Sequence, residues 1–530
     1  MQGPSSGVLG AAALLGLSLV ATAARAQPSE AALAGAGADR ETVARDREQG
    51  EDPGFDTGGE LGYAYLDELN YLAPTLSADA RVDFFQGALR VPLRLDTASG
   101  DLRKKDWDET SDFFRIGQCL RMDWSSDGAF EREHGLCLPW DVHRDDYYIS
   151  ARMGPVYDLD LAHGTILRAY SNNLDPDHFQ SGVVANMQFH QFVVGEMLLD
   201  NVTRPELIGG TVALQPFAYE VDETPEIYEY RHHFHVAATA VSDLGAPTEV
   251  RTAFGRALTD DAGNLLYRRD PVTVVGADLQ YRFVFGQQIE LEARADWNYI
   301  TDHGMGTHVQ VWGIYNHPDW LYTVRGIGEF RYIQENYIPN YFDSYYFIQR
   351  QQYGLSAGAQ EQLDAILTGP DSTFATKGEY LAALPNEGWN AGYLGGISFE
   401  MYRGEGEARR TALRARLYIS DVFGRDSDGQ FLVTLELPRL MDKIDVYALY
   451  SRQNFGELLD IFELNHTLVK LQVRWDLNEQ FYVQMNYGRI WQIGVDAVTG
   501  TTDGFSSNNE FGISLGFAEE LAAAVAGGET

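Results

Sequence analysis

Residues 288–300 read QIELEARADWNYI, and their alternation decides the fold. Ile289, Leu291, Ala293, Ala295, Trp297 and Tyr299 take the odd positions, while Gln288, Glu290, Glu292, Arg294, Asp296 and Asn298 take the even ones. Successive side chains of a strand point to opposite faces, so this segment has one apolar face and one charged face. A helical period of 3.6 would scatter the same charges around the axis. The run exceeds the roughly 5–6 residues usual for strands of globular sheets and suits a tilted membrane strand of about 9–11 residues.

Working outward, Val275, Ala277, Leu279, Tyr281 and Phe283 alternate with Gly276, Asp278, Gln280 and Arg282, and Gly286-Gln287 links the two segments as a hairpin. Near the other end, Thr467, Val469, Leu471, Val473 and Trp475 oppose Lys470, Gln472, Arg474 and Asp476, followed across Asn478-Glu479 by Phe481, Val483, Met485 and Tyr487. Segments 89–96, 320–332 and 411–420 repeat the pattern. Taken from 60 to 517, with the faintest segments at 60–67 and 146–154, they predict about 18 strands, with 16 as the fallback, because single-chain bacterial barrels use even numbers. Longer loops at 97–112, 124–145, 155–180, 243–271, 333–389 and 453–465 alternate with short polar turns. The expected fold is all-β: one large transmembrane up-and-down antiparallel β-barrel of about 16–18 strands. A secreted sandwich or propeller also alternates, and periodicity alone does not separate the two. Strand length, strand number and aromatic strand ends favour the barrel.

The chain has 530 residues, 45% of them hydrophobic and 12% aromatic, with 29 Tyr and 27 Phe. An apolar run from Val8 to Val20 followed by Ala24-Arg25-Ala26 predicts a signal peptide over residues 1–26, although the start MQGPSSG lacks the usual basic residue. Residues 27–58 are expected to be a periplasmic extension, 59–517 the barrel and 518–530 a tail. Past the first segment no run of about 18 apolar residues occurs, which argues against a helical membrane bundle. A formal charge of −37 excludes nucleic-acid binding by phosphate neutralisation. Cys119 and Cys137 flank a polar stretch and are expected to form a disulfide in an oxidising compartment.

The last candidate strand, EFGISLGF at 510–517, places Phe511, Ile513, Leu515 and Phe517 on one face and ends on an aromatic. It resembles the closing strand of Gram-negative outer-membrane β-barrels, a broad porin-like class rather than one family. The resemblance covers most of 60–517 and implies outer-membrane lipid and lipopolysaccharide as surroundings and the barrel-assembly machinery as a partner. The tail AEELAAAVAGGET departs from it, since the class usually stops at the aromatic.

With the apolar face on lipid, the charges line the interior. The candidate pore-lining residues are Arg94, Arg282, Glu290, Glu292, Arg294, Asp296, Arg325, Glu329, Arg331, Arg414, Arg416, Lys470 and Arg474. They are expected to brace the wall by cross-strand pairing, to form a selectivity lining for anionic solutes, or to do both. The length of 333–389, its density of Tyr, Phe and Asn, and an expected helix at 356–367 point to a plug or constriction. The expected function is a porin-like channel for small polar solutes, with anionic and sugar-like solutes as candidates. The rival is a non-conducting barrel anchoring an envelope assembly for motility, adhesion or a surface structure, with an outer-membrane hydrolase as a minor third. A homo-oligomer or an envelope complex is left open. No cofactor and no catalytic residue is expected. Among His232, His233 and His235 the last two share a strand face, but sequence alone identifies no carboxylate partner, so no metal site is expected. Asp421, Asp426 and Asp428 read as a solvated turn. In loop 155–180, His163 and the group Asn172, Asn173, Asp175, Asp177 and His178 accompany no hydrolase motif.

Overall fold

Period-two segments joined by short links form hairpins, and here each hairpin strand also pairs with the strand beyond it. A computed structural model describes residues 54–521, except 126–146, 174–179, 221–229, 258–265, 353–375, 404–409, 496–501 and gaps of one to four residues in other connections. The first strands are β1 Gly54–Leu66, β2 Leu69–Val82, β3 Phe85–Pro92, β4 Gly117–Ser125 and β5 Tyr147–Gly154. Next come β6 Gly182–Phe189, β7 Val193–Leu199, β8 Leu207–Leu214, β9 Phe234–Asp243 and β10 Val272–Phe285. The third quarter holds β11 Ile289–Ile300, β12 Met305–Asn316, β13 Tyr322–Gln334, β14 Trp389–Arg403 and β15 Arg410–Val422. The last are β16 Gly429–Leu440, β17 Ile444–Phe455, β18 Thr467–Asp476, β19 Phe481–Val495 and β20 Thr502–Leu521.

Every consecutive pair is antiparallel, and the ring closes where β1 pairs with β20, from Phe55 opposite Leu521 to Tyr65 opposite Phe511. The short strand Leu95–Asp96 pairs with Tyr71 and Leu72 and continues β3 along the same edge of β2. The ring therefore has twenty members, more than the 18 expected. The two faintest segments of the sequence are genuine strands, β1 and β5. Alternation is also weak in β6–β8, because their inward positions include Val184, Leu198 and Ala213, all buried.

An even ring puts both strand ends, Gly54 and Leu521, on one rim. Short connections 83–84, 190–192, 286–288, 317–321, 441–443 and 477–480 share that rim with the strand ends that flank the longer 126–146 and 215–233. The long connections 93–116, 155–181, 244–271 and 335–388 leave the opposite one.

The faces are inverted relative to a water-soluble protein. On β10, Leu279 is 49% exposed while Asp278 is 4% exposed; on β12, Val311 is 53% exposed while Gln310 is fully buried. Phe283, Leu291, Trp297, Val309, Phe330, Ile397, Trp475, Phe511 and Ile513 continue the exposed apolar surface around the ring, and Glu290, Glu292, Glu329, Arg331, Lys470 and Arg474 lie inside. A soluble sandwich would bury the first set and hydrate the second. Only hydrocarbon satisfies this arrangement. Val311→Arg, near mid-strand on the outward face, is expected to lower stability in lipid vesicles by about 2–4 kcal/mol, read from urea unfolding. A change below about 0.5 kcal/mol, the size usual for an exposed site in water, would contradict the membrane assignment.

Candidate functional site

The described parts of the connections 155–181 and 335–388 turn back into the ring and fill part of it. In the first, strands Leu159–Leu161 and Leu167–Tyr170 make a small hairpin whose tip carries His163 and Gly164. Gly164 has φ +71°, a conformation L side chains rarely adopt, and Arg168 folds over it, donating from Nε to the Gly164 carbonyl at 2.9 Å. In the second, Tyr337, Ile338, Tyr341, Phe342 and Tyr346 are buried. It also carries helices α1 Tyr346–Gln352 and α2 Lys377–Ala383, the latter held at its start by a capping box between Thr376 and Glu379. The helix expected at 356–367 lies outside the described residues.

Backbone hydrogen bonds stitch the two connections together: Arg168 N to Phe342 O at 2.9 Å, Phe342 N to Ile166 O at 3.1 Å, and Asn340 N to Thr165 O at 3.2 Å. Their apolar side chains form one core with Val184 of β6, Leu198 of β7, Val241 of β9, Val274 of β10 and Ile300 of β11. Inward apolar residues on one arc of the wall are therefore the seat of this insert. Buried ion pairs lock it. Arg350 pairs with Glu206 and lies 3.4 Å from Asp243, which also accepts from the Tyr346 hydroxyl at 2.6 Å. Lys377, 1% exposed, bonds to Asp343 at 3.1 Å and Gln349 at 3.2 Å beneath the Tyr341 and Tyr346 rings. Burial alone would raise the Glu206 carboxyl, but Arg350 and Arg269 hold it below its usual range.

Most of the predicted lining residues are in ion pairs, some with one another and some with other inward groups. Glu292 accepts from Arg282 and from Arg294, the latter also stacked over Trp312 at 4.6 Å. Glu400 bridges Arg325 at 2.7 Å and Arg414 at 3.0 Å, and Arg414 reaches Glu436 at 3.3 Å. Glu329 takes Arg331 at 2.5 Å and His308 at 2.8 Å. Arg94 meets Asp106 at 2.8 Å and Glu510 at 3.5 Å, and Arg474 meets Asp476 at 2.8 Å. Arg282 also approaches Glu290 at 4.0 Å, and Lys470 is buried. Asp296 instead bonds to His163 of the insert at 2.9 Å.

Between the insert and the wall from β12 to β18 lies a cavity of about 370 Å³. Arg168, Arg325, Arg416 and His163 face it together with Asp160, Asp343 and Glu436. Ser171, Ser344, Ser398, Ser420, Thr434 and Ser451 supply hydroxyls, and Trp312, Tyr418, Phe431 and Tyr447 supply aromatic faces. Arg325 and Arg416 were anticipated from sequence, whereas Arg168 and the hydroxyl groups were not, because Ser and Thr carry no periodic signal. Asn172 and Asn173 of the first connection are structural: Asn172 Oδ1 accepts from Val156 N at 2.8 Å, and Asn173 holds the Gln180 backbone through both ends of its amide. Asp175, Asp177, His178, His233, Asp426, Asp428 and Cys137, the expected partner of Cys119, lie outside the described residues.

Asp200, on the turn after β7 against which Asn172 docks, is pushed up to about 7 by burial. Between its ordinary 3.8 and about 7 the folded protein keeps the proton that the unfolded chain has released, so stability falls as pH rises through that window. Asp200→Asn is expected to unfold at the parent's urea concentration near pH 4 and at a higher one near pH 8; coincident midpoints at both pH values would contradict this.

No family model matches the chain, and no curated protein matches it. Among solved structures it is similar to the Pseudomonas aeruginosa outer-membrane protein opdK, at 9% identity and TM-score 0.28 over 88% of this chain and 98% of that one. It is similar to OmpT of Vibrio cholerae in its trimer form, at 10% identity and TM-score 0.29 over 88% and 99%. It is also similar to P. aeruginosa FpvA bound to heterologous pyoverdines, at 9% identity and TM-score 0.34 over 88% and 72%. Likeness this distant carries no argument. The assignment stands on the closed antiparallel ring, the apolar exterior and the charged interior: the chain is a membrane-spanning β-barrel.

Proposed function

We propose that the protein is a restricted outer-membrane channel for small polar solutes of low net charge. The observation that carries this reading is the cavity left between the insert and the β12–β18 wall. Its volume of about 370 Å³ falls in the range of small-ligand sites. Twenty strands enclose more space than the 16–18 strands that leave an open aqueous pore, and the insert reduces that space to molecular size.

The lining argues against a strong anion preference. Three arginines share the cavity lining with Asp160, Asp343 and Glu436, Arg168 and Arg325 lie against Glu329 and Glu400, and most other inward arginines already hold carboxylates. These pairs support the bracing role more than a selectivity role. Hydroxyls beside aromatic faces suit solutes with several hydrogen-bonding groups and an apolar side, such as sugars or zwitterionic amino acids. The wall arginines fix position, and the insert sets the width.

Planar-bilayer recording tests this directly. The parent protein is expected to give small discrete current steps with a reversal potential near zero in a potassium chloride gradient, and vesicles containing it are expected to swell in neutral sugars. Arg350→Ala leaves buried Asp243 without its cation and Glu206 with only Arg269 and Arg204, a loss of about 3–5 kcal/mol for a broken buried pair. The insert then undocks and conductance rises several-fold. Absence of current in both proteins would contradict the channel and favour a barrel that anchors an envelope assembly.

A further inference from the structure

At the tip of the first inserted hairpin, His163 meets two side chains of the wall. Its Nε2 lies 3.7 Å from Asp278 Oδ1 of β10, and His235 Nε2 of β9 lies 3.4 Å from the same oxygen. The three ligand atoms all fall within 4.8 Å of one another. A tetrahedral Zn²⁺ with bonds of about 2.0–2.1 Å sets its ligand atoms roughly 3.4 Å apart. Two of the three separations are therefore already near that edge, and a rotamer adjustment of about 1 Å closes the third.

The surroundings ask for a cation. Asp278 and Asp296 sit directly opposite each other across β10 and β11, and both are buried. Among the described residues neither forms an ion pair with arginine or lysine. Like charges at one cross-strand position oppose each other, and a buried carboxylate is costly without compensation. Asp278 Oδ1 and Asp296 Oδ2 accept no hydrogen bond there. The imidazole of His163 adds a further sign. With Nδ1–H given to Asp296 at 2.9 Å, its Nε2 lone pair faces Gln280 Oε1 at 3.1 Å and Asp278 Oδ1. These electron-rich atoms converge on a point that suits a cation. A carboxylate that fixes the far nitrogen of an imidazole is also the usual outer support of a metal-bound histidine.

We infer that His163, His235 and Asp278 form a site for a divalent transition metal, with Zn²⁺ the best match to two imidazoles and one carboxylate. Asp296 acts as the positioning residue for His163. The ion would tie the insert, through His163, to the barrel wall, through His235 and Asp278. This site is independent of whether the cavity conducts solutes.

The full chain, purified in detergent and stripped with a chelator, is titrated with Zn²⁺ and, separately, with Co²⁺ for its visible absorption. The parent is expected to take up one equivalent more than His163→Ala, His235→Ala or Asp278→Asn, and to show the intense bands of tetrahedral Co²⁺. Asp296→Asn is expected to bind about 10–100-fold more weakly. His303→Ala, on the β11–β12 turn, is expected to match the parent, and heat-modifiable electrophoretic mobility confirms that each variant is folded. Equal uptake by parent and folded variants, or a parent without tetrahedral Co²⁺ bands, would overturn the site and leave imidazolium–carboxylate pairing as its explanation.

Discussion

Hydrocarbon offers no hydrogen-bond partner, and that constraint governs the rest of the molecule. Each backbone N–H and C=O at membrane depth must be met by another strand, so an open edge is excluded and the last strand must find the first. The pairing of Phe55–Tyr65 with Leu521–Phe511 meets this demand. It also obliges the apolar side chains to face outward, which leaves the lumen to house the charges.

Charges enclosed in this way need partners. The wall supplies them as short chains of alternating sign, such as Arg325–Glu400–Arg414–Glu436 and Arg282–Glu292–Arg294. Where the wall is apolar instead, around Val184, Leu198, Val241 and Val274, it receives the two inserted connections. Among the described residues the interior is thus divided: one arc meets an apolar insert locked with Arg350 and Lys377, and the other carries paired charges. The cavity lies at the boundary between the two, and so does the His163 cluster.

The sequence made the strands with charged inner faces legible, because contrast between the faces is what alternation measures. It left β6–β8 faint for the same reason, since strands apolar on both sides lose that contrast. The filling role of 335–388 was readable from its length and its tyrosines. That of 155–181 was not, because its burial depends on Leu159, Ile166 and Leu167 meeting a wall supplied by distant strands. Inward arginines were identifiable, but their partners were not: Arg325 and Glu400 are brought together only by the pairing of β13 with β14. The histidine pair His163 and His235 was similarly hidden. His235 appeared without a carboxylate and His163 only beside those of its own loop, and Asp278 joins the two only through the register of β9 with β10 and the descent of the hairpin.

Contact of the odd positions of 289–299 with lipid underlies the whole arrangement. Single spin labels placed in turn at 289 through 299, in protein reconstituted into vesicles, measure it most directly through their collision rates with dissolved oxygen and with a water-soluble nickel chelate. High oxygen access is expected at 289, 291, 293, 295, 297 and 299 and low access at the positions between them. Uniform access along the segment, or high nickel access at the odd positions, would contradict it.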